Sequence, residues 1–290
     1  MLKKLKSFAV IFCTGFLFTI AACAAPDGSS EDASAPSSVP SVSAPAENVP
    51  NDSPVSSPND EPKDDFVEEP PVIPQIRTVQ YIRIKTNGLN VRAKASVSSA
   101  RLGTVDEDVS MLCLGTENGF YKTYYKNKTA YVSANEKYTE TFTLKRENDA
   151  VERAIEEGCK LIGTPYVYGA VRYHDGYGNL YKGFSVNKFD CSSLTQYVFF
   201  KSDKILLQVN TRTQIYQGKY VKKSDLARGD LIFFTNASRY NNKGIERVGH
   251  VAIYLGDNFI LHTSSDYCKI EQVSKTRWNY YIEARRMVEA

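Results

Sequence analysis

No two of the six cysteines in this 290-residue chain stand at Cys-x-x-Cys spacing, and histidine is limited to three residues. Structural zinc sites are commonly built from such pairs, so neither a metal site nor another cofactor is expected. The longest apolar run, Phe8 to Ala22, falls short of the ~20 residues that a membrane-spanning helix needs. Proline nearly disappears after residue 74: eleven of twelve lie between Pro26 and Pro74, and only Pro165 follows. Large apolar residues are in turn nearly missing from Ala24 to Ile76. That stretch cannot bury a core and reads as a disordered linker of proline, serine and acidic residues.

At the N-terminus, Lys3, Lys4 and Lys6 precede the apolar run, which is the pattern of an export signal. The run ends in Ile20-Ala21-Ala22-Cys23, which resembles the bacterial lipoprotein processing box. The resemblance implies removal of residues 1–22 and acylation of Cys23, anchoring the chain to the outer face of the cell membrane. Two acyl chains hold stably where one holds marginally, at ~0.8 kcal/mol per buried methylene. Residues 23–76 would then be a tether of roughly 40 Å as a coil and up to about 160 Å extended. Charge is split along the chain: residues 26–75 carry −10 and residues 76–290 carry +10, within a total of +3. A basic globular part behind an acidic tether suits an anionic polymer such as wall glycan or teichoic acid. For an exported chain, nucleic acid is not an expected partner, and a monomer is expected.

Residues 77–140 show short alternating runs broken by glycine and asparagine, the pattern of a small all-β barrel. The runs include Leu89-Asn90-Val91-Arg92, Gly103-Thr104-Val105, Met111-Leu112-Cys113-Leu114, Phe120-Tyr121-Lys122 and Thr129-Ala130-Tyr131-Val132-Ser133. They are similar to the bacterial SH3-like domain found beside wall hydrolases, with Phe120 in place of the usual tryptophan and Ala130 in place of the usual glycine. That similarity implies wall binding or one side of a substrate groove. The short connection Thr141 to Asn148 leads into a second unit, residues 147–290, and points to two units packed together.

In the second unit, Asp190 is a good helix N-cap, and Leu194, Tyr197 and Val198 follow at helical spacing. Cys191 therefore opens a helix with a buried apolar face. A helix N-terminus and a neighbouring imidazolium both favour the thiolate, the reactive form of cysteine. Val248 to Leu255 reads as a strand, Gly256-Asp257-Asn258 as a turn, and Phe259 to His262 as the return strand. A three-residue turn sets Leu255 opposite Phe259 and Ala252 opposite His262. His250 and His262 then share a sheet face as diagonal neighbours. One imidazole can take the thiol proton while the other orients it.

Six segments occur here in an order that resembles the NlpC-type cell-wall cysteine peptidases, which are papain-like. They are Gly163-Thr164-Pro165-Tyr166, Phe189-Asp190-Cys191-Ser192-Ser193, Gly229-Asp230-Leu231-Ile232, Val248-Gly249-His250-Val251, Leu261-His262, and Glu283-Ala284-Arg285. The resemblance implies an α+β domain with helices packed on an antiparallel sheet. It implies Cys191 as nucleophile, His250 as base, His262 as the residue orienting it, and Tyr166 as an oxyanion donor. It also implies that Asp190 and Ser192 contact the L-Ala-D-Glu end of a peptidoglycan stem peptide. Asp190 as a helix cap alone is the competing reading.

The pattern departs from the family at Val209, where an arginine is usual, and at Ala170, where a second glycine is usual. Arg212 stands only nearby, and Gln214 is kept. The stretch from Ala170 to Lys188 is long and aromatic and reads as an extended loop at the cleft rim. Cys113, Cys159 and Cys268 read as small buried apolar residues. His174 reads as a plain loop residue, and Arg228-Gly229-Asp230 as a strand-entry turn rather than an adhesion tripeptide.

The expected activity is hydrolysis of peptidoglycan or of muropeptides released from it. The expected bond runs from γ-D-Glu to the diamino acid, either meso-diaminopimelate or L-Lys. The alternatives are an N-acetylmuramoyl-L-alanine amidase and a non-catalytic wall-binding lipoprotein.

Overall fold

The computed structural model describes residues 77–289. The expected signal peptide (1–22), the linker (23–76) and the lipidation site Cys23 lie outside the described residues.

Eight strands come first: β1 (Thr78–Ile84), β2 (Leu89–Arg92), β3 (Arg101–Val105), β4 (Ser110–Leu112), β5 (Gly115–Glu117), β6 (Phe120–Tyr125), β7 (Lys128–Ser133) and β8 (Thr139–Lys145). Helix α1 (Asp149–Lys160) follows, capped by the Asn148 side chain on the Val151 N–H. Then come α2 (Cys191–Asp203), α3 (Thr211–Gln214), β9 (Lys219–Val221), β10 (Leu231–Phe234), β11 (His250–Gly256), β12 (Phe259–Ser264), β13 (Tyr267–Gln272), α4 (Lys275–Asn279) and β14 (Tyr281–Arg286). The fold is an antiparallel sheet with helices packed on it, preceded by small all-β structure.

The strands form two sheets, and their membership departs from the expected division. Five strands form the small sheet in the order β3-β2-β7-β6-β5. The other three N-terminal strands join the large sheet, in the order β8-β1-β4-β13-β12-β11-β10-β14-β9. The bridge between Ser110 and Ile270 links β4 to β13. Strand β8 crosses the expected boundary at residue 140, so most of the expected connection Thr141 to Asn148 is strand. The physical reason is apolar: Phe142 stacks between Tyr81 at 5.6 Å and Phe259 at 4.7 Å, and Leu144 is buried. One hydrophobic core runs through both halves, from Tyr81 and Val105 to Phe233 and Leu261.

The Arg-Gly-Asp tripeptide sits inside this junction. Arg228 is buried, donates from Nε to Glu152 at 2.8 Å and from Nη2 to the Tyr81 hydroxyl at 2.6 Å, and reaches the Leu255 carbonyl at 2.9 Å. Asp230 is buried against Arg286 at 2.8 Å. These groups hold strands together and are closed to any adhesion partner. A second tie is Tyr125, whose ring lies against Gly163 (φ +84°), where a Cβ would clash. Only glycine fits that left-handed, crowded position.

Helix α2 differs from the expected amphipathic helix. Cys191 through Phe199 are all buried. The polar residues on the unexpected face are satisfied internally: Thr195 Oγ1 donates to Gln214 Oε1, and Gln196 Nε2 donates to the Leu207 carbonyl. Buried polar groups with partners cost little, which is why a helix rich in serine, threonine and glutamine can sit at the centre.

Candidate active site

Asp190 caps α2 with extended backbone, and its Oδ1 accepts the Ser193 N–H at 2.8 Å. Ser193 Oγ in turn accepts the Asp190 N–H at 2.9 Å, completing a capping box. This fixes Cys191 as the first residue of the helix. The helix packs across β11. Cys191 is 8% exposed and His250 is 7% exposed, both at the rim of the core.

The histidines meet as expected, by a different turn. Ile253 pairs with Leu261 and Tyr254 with Ile260, the register that sets Ala252 opposite His262. At the tip, however, Gly256 pairs with Phe259, so the turn holds only Asp257 and Asn258. Both have positive φ, +45° and +69°, the geometry of a tight two-residue hairpin. A register shift between Tyr254 and Gly256 absorbs the missing residue as a bulge. His250 Nε2 and His262 Nδ1 are 2.9 Å apart.

The sequence reading missed the next member. His262 Nε2 lies 3.0 Å from Glu271 Oε1 on β13, and the Arg277 guanidinium donates to the same oxygen at 3.1 Å. Burial pushes the Glu271 carboxyl up, but the His262 hydrogen bond and the charges of His262, Lys269 and Arg277 outweigh it and bring it down to about 2. As a carboxylate, Glu271 can only accept, so His262 Nε2 carries a proton and Nδ1 is an acceptor. His250 Nε2 must then donate, which leaves its Nδ1 lone pair free.

At rest, burial works against the expected thiolate. Burial, and then the Asp190 charge, push the Cys191 thiol up to about 11, against the lowering by backbone hydrogen bonds and Arg172. Burial, His262 and Arg277 hold His250 well below the ordinary imidazole value. Both groups rest neutral at pH 7, because desolvation outweighs the helix N-terminus. Tyr166 is pushed up to about 12 by burial and by the neighbouring Cys191 and Asp190, so its phenol remains a donor.

Arg172, from the extended loop, reaches the segment where the usual arginine is missing, at Val209. Its Nε donates to the Val209 carbonyl, Nη1 to Asp190 Oδ2 at 2.8 Å and to the Ala170 carbonyl at 2.6 Å, and Nη2 to Ser192 Oγ at 3.2 Å. Ser192 Oγ donates to Asp190 Oδ1 at 3.1 Å. Asp190 is therefore both cap and anchor of this cluster. Arg212 is turned away, paired with Glu246 at 2.5 Å. Gln214 Nε2 ties the Ser192 carbonyl to that of Gln208.

His174 is more than a loop residue. It is fully buried against Phe200 and accepts the Gly176 N–H at Nδ1, so it is the core of the loop. Among the described residues the four cysteines are free; Cys159 and Cys268 are buried, and Cys113 is partly exposed. No three His, Cys, Asp or Glu side chains among the described residues converge as metal ligands.

A thiol at a helix start, set against a histidine pair on an antiparallel sheet, is the architecture of the papain-like cysteine hydrolases. Residues 163–287 match the NlpC/P60 family and residues 87–138 match the bacterial SH3 domain, so the chain carries an NlpC/P60 domain behind a bacterial SH3 domain. The chain is 29% identical over 157 residues to the peptidoglycan DL-endopeptidase CwlO of Bacillus licheniformis, covering 52% of this chain and 31% of that one. It is 26% identical over 167 residues to the gamma-D-glutamyl-L-lysine dipeptidyl-peptidase of Bacillus subtilis, covering 58% and 49%. Among solved structures, an NLP/P60-family protein similar to lipoproteins from Staphylococcus aureus aligns at 28% identity, covering 51% and 44%, with a TM-score of 0.40. The chain spans about a third to a half of the length of these curated relatives.

Proposed function

We propose that this protein is a peptidoglycan hydrolase that cuts the amide from γ-D-Glu to the diamino acid of a stem peptide. The observation that carries the reading is the hydrogen-bonded series Glu271, His262 and His250, on a sheet whose strands β11 and β12 pack against α2, the helix that Cys191 opens. The names of the relatives agree with it: one is a peptidoglycan DL-endopeptidase and another a γ-D-glutamyl peptidase.

The chemistry follows from the protonation states. As the Cys191 sulfur attacks the carbonyl carbon, its proton passes to His250 Nδ1. The resulting imidazolium donates from Nε2 to His262, whose far side rests on the Glu271 carboxylate. The Cys191 backbone N–H at the helix start and the Tyr166 hydroxyl donate to the oxyanion. The carbon–nitrogen bond breaks, and the leaving amine takes the proton from His250. Water then gives a proton to His250 and attacks the thioester, releasing a carboxylic acid and restoring the thiol. Arg172, Asp190 and Ser192 hold the acyl side of the substrate. The SH3 domain is fixed to the catalytic sheet and forms part of the body presented to the wall. Residues 1–22 export this body, and the tether of residues 23–76 anchors it through Cys23 at the outer face of the membrane.

The test is mass spectrometry of defined muropeptides after incubation with the purified protein. Products split between D-Glu and the diamino acid are expected, and none from Cys191→Ala that is still folded. Products split between muramic acid and L-Ala, or an active Cys191→Ala, would overturn the reading. For the anchor, Cys23→Ser should move the protein from membranes to the soluble fraction; retention on salt-washed membranes would refute it.

A further inference from the structure

Beside His250 lies a cavity of about 330 Å³. Its lining includes Tyr166, Asn236, Ser264, Ser274, Arg277 and Tyr280, and among the described residues no carboxylate lines it. Among the described residues that line it, Arg277 is the one with a fixed charge. The cavity's position sets what enters it. In an amide cleavage the leaving amine takes its proton from the base, so the leaving residue sits on the His250 side of the sulfur. The acyl side lies toward Asp190 and Arg172, across the nucleophile. The volume suits a single amino-acid residue.

The guanidinium is held in place. Ser274 Oγ accepts the Arg277 backbone N–H at 3.1 Å and caps α4. Glu271 Oε1 accepts from Nη2, and among the described residues it is the only hydrogen-bond partner of this side chain. A guanidinium has five N–H donors, so four remain for a ligand. The side chain is one-quarter exposed, enough to reach the cavity. Its partner carboxylate is already shared with His262 and with Lys269 at 3.7 Å, and it does not line the cavity. An entering ammonium therefore meets a positive wall, while an entering carboxylate meets a preorganised fork of donors.

We propose that Arg277 selects stem peptides whose leaving diamino acid carries a free carboxylate. This rests on the endopeptidase reading above. The carboxylate can come from two sources. One is the side chain of a diaminopimelate residue; the other is the free α-carboxylate of a diamino acid that ends the peptide. Lysine within a longer stem has neither.

The experiment compares kcat/KM of the full protein on four soluble peptides. They are L-Ala-γ-D-Glu-meso-diaminopimelate, the same peptide with L-Lys, and each of these extended by D-Ala. The parent should favour carboxylate-bearing peptides over the extended lysine peptide by about tenfold or more. In Arg277→Met that ratio should collapse toward one, and Arg277→Lys should restore part of it. Preference for both diaminopimelate peptides assigns the side-chain carboxylate. Preference for both unextended peptides assigns the terminal one. A uniform loss across all four peptides in Arg277→Met would mean that the residue only braces Glu271, and would overturn the inference. Equal cleavage of all four by the parent would overturn it too, while leaving the endopeptidase reading standing. If the parent cuts none of the four, that reading fails and this inference falls with it.

Discussion

His262 Nε2 lies 3.0 Å from Glu271 Oε1, and this contact decides which nitrogen of a different residue is free. A carboxylate can only accept, so each ring in turn is forced into one tautomer. The base nitrogen of His250 is thus set two hydrogen bonds away. Glu271→Ala should remove that constraint and lower kcat by at least about tenfold with little change in KM. Glu271→Gln can hydrogen-bond in either sense, so it should recover only part of the loss. His262→Ala should cost less than His250→Ala, because an orienting group matters less than the base. Parent-like activity in Glu271→Ala would remove Glu271 from the mechanism.

The pH profile is the second expectation. His250 and His262 both titrate below the ordinary imidazole value, mainly through burial. The active pair is a neutral thiol and a neutral imidazole, so the acid limb of kcat/KM should fall below ~6.5. The alkaline limb should lie far above neutrality, since the Cys191 thiol sits at about 11. Folding stability carries the matching sign. Unfolded histidines take protons as pH falls through ~6.5, while the folded ones resist, so stability should decline on acidification from there. An acid limb above pH ~6.5 would contradict the buried, neutral assignment.

Arg172 offers a third test. It joins the extended loop to Asp190, Ser192 and the Val209 carbonyl. Arg172→Met should raise KM more than it lowers kcat, and should speed amide exchange across residues 170–188. Because Arg172 pulls the Cys191 thiol down, the alkaline limb should also move upward in the variant. Arg172→Lys keeps the charge without the fork and should restore the alkaline limb better than KM. Unaltered exchange and kinetics in Arg172→Met would show that the loop is held without it.

The fourth expectation concerns the joint between the halves. Arg228→Met leaves Glu152 with its buried ion-pair partner gone, which should cost about 3–5 kcal/mol. Tyr81→Phe removes one acceptor from Arg228 and should cost about 1–3 kcal/mol. Both are read by denaturant unfolding. In both variants one cooperative transition should persist, because the core is shared; two separated transitions would show that the halves fold independently.

The residues themselves show why some of this was legible and some was not. Asp190 before Cys191 announces its helix, because a cap is a local device. The strands at Leu89–Arg92 and Lys128–Ser133 are readable from alternation and turns. The histidine pair was reachable only through a turn length, and the bulge near Leu255 kept the register while the turn shortened. Glu271 and Arg277 become neighbours of His262 only when β13 and α4 fold back, and no short-range pattern encodes that return. Arg172 was hidden for a similar reason: it reaches Val209 across a long loop. The polar spacing of α2 disguised a helix buried on every side from Cys191 to Phe199, since its partners, Gln214 and Leu207, come from another segment.

The bridge between β4 and β13 also has a meaning for how the chain is made. Strand β4 appears early, and its partner follows only after about 150 more residues. At ribosomal rates of roughly 5–20 residues per second, that is on the order of ten to thirty seconds with an apolar strand edge uncovered. An open edge is a template for the wrong neighbour. The price of a fixed two-domain body is therefore a newborn chain that must be kept from its own copies until its last tenth arrives.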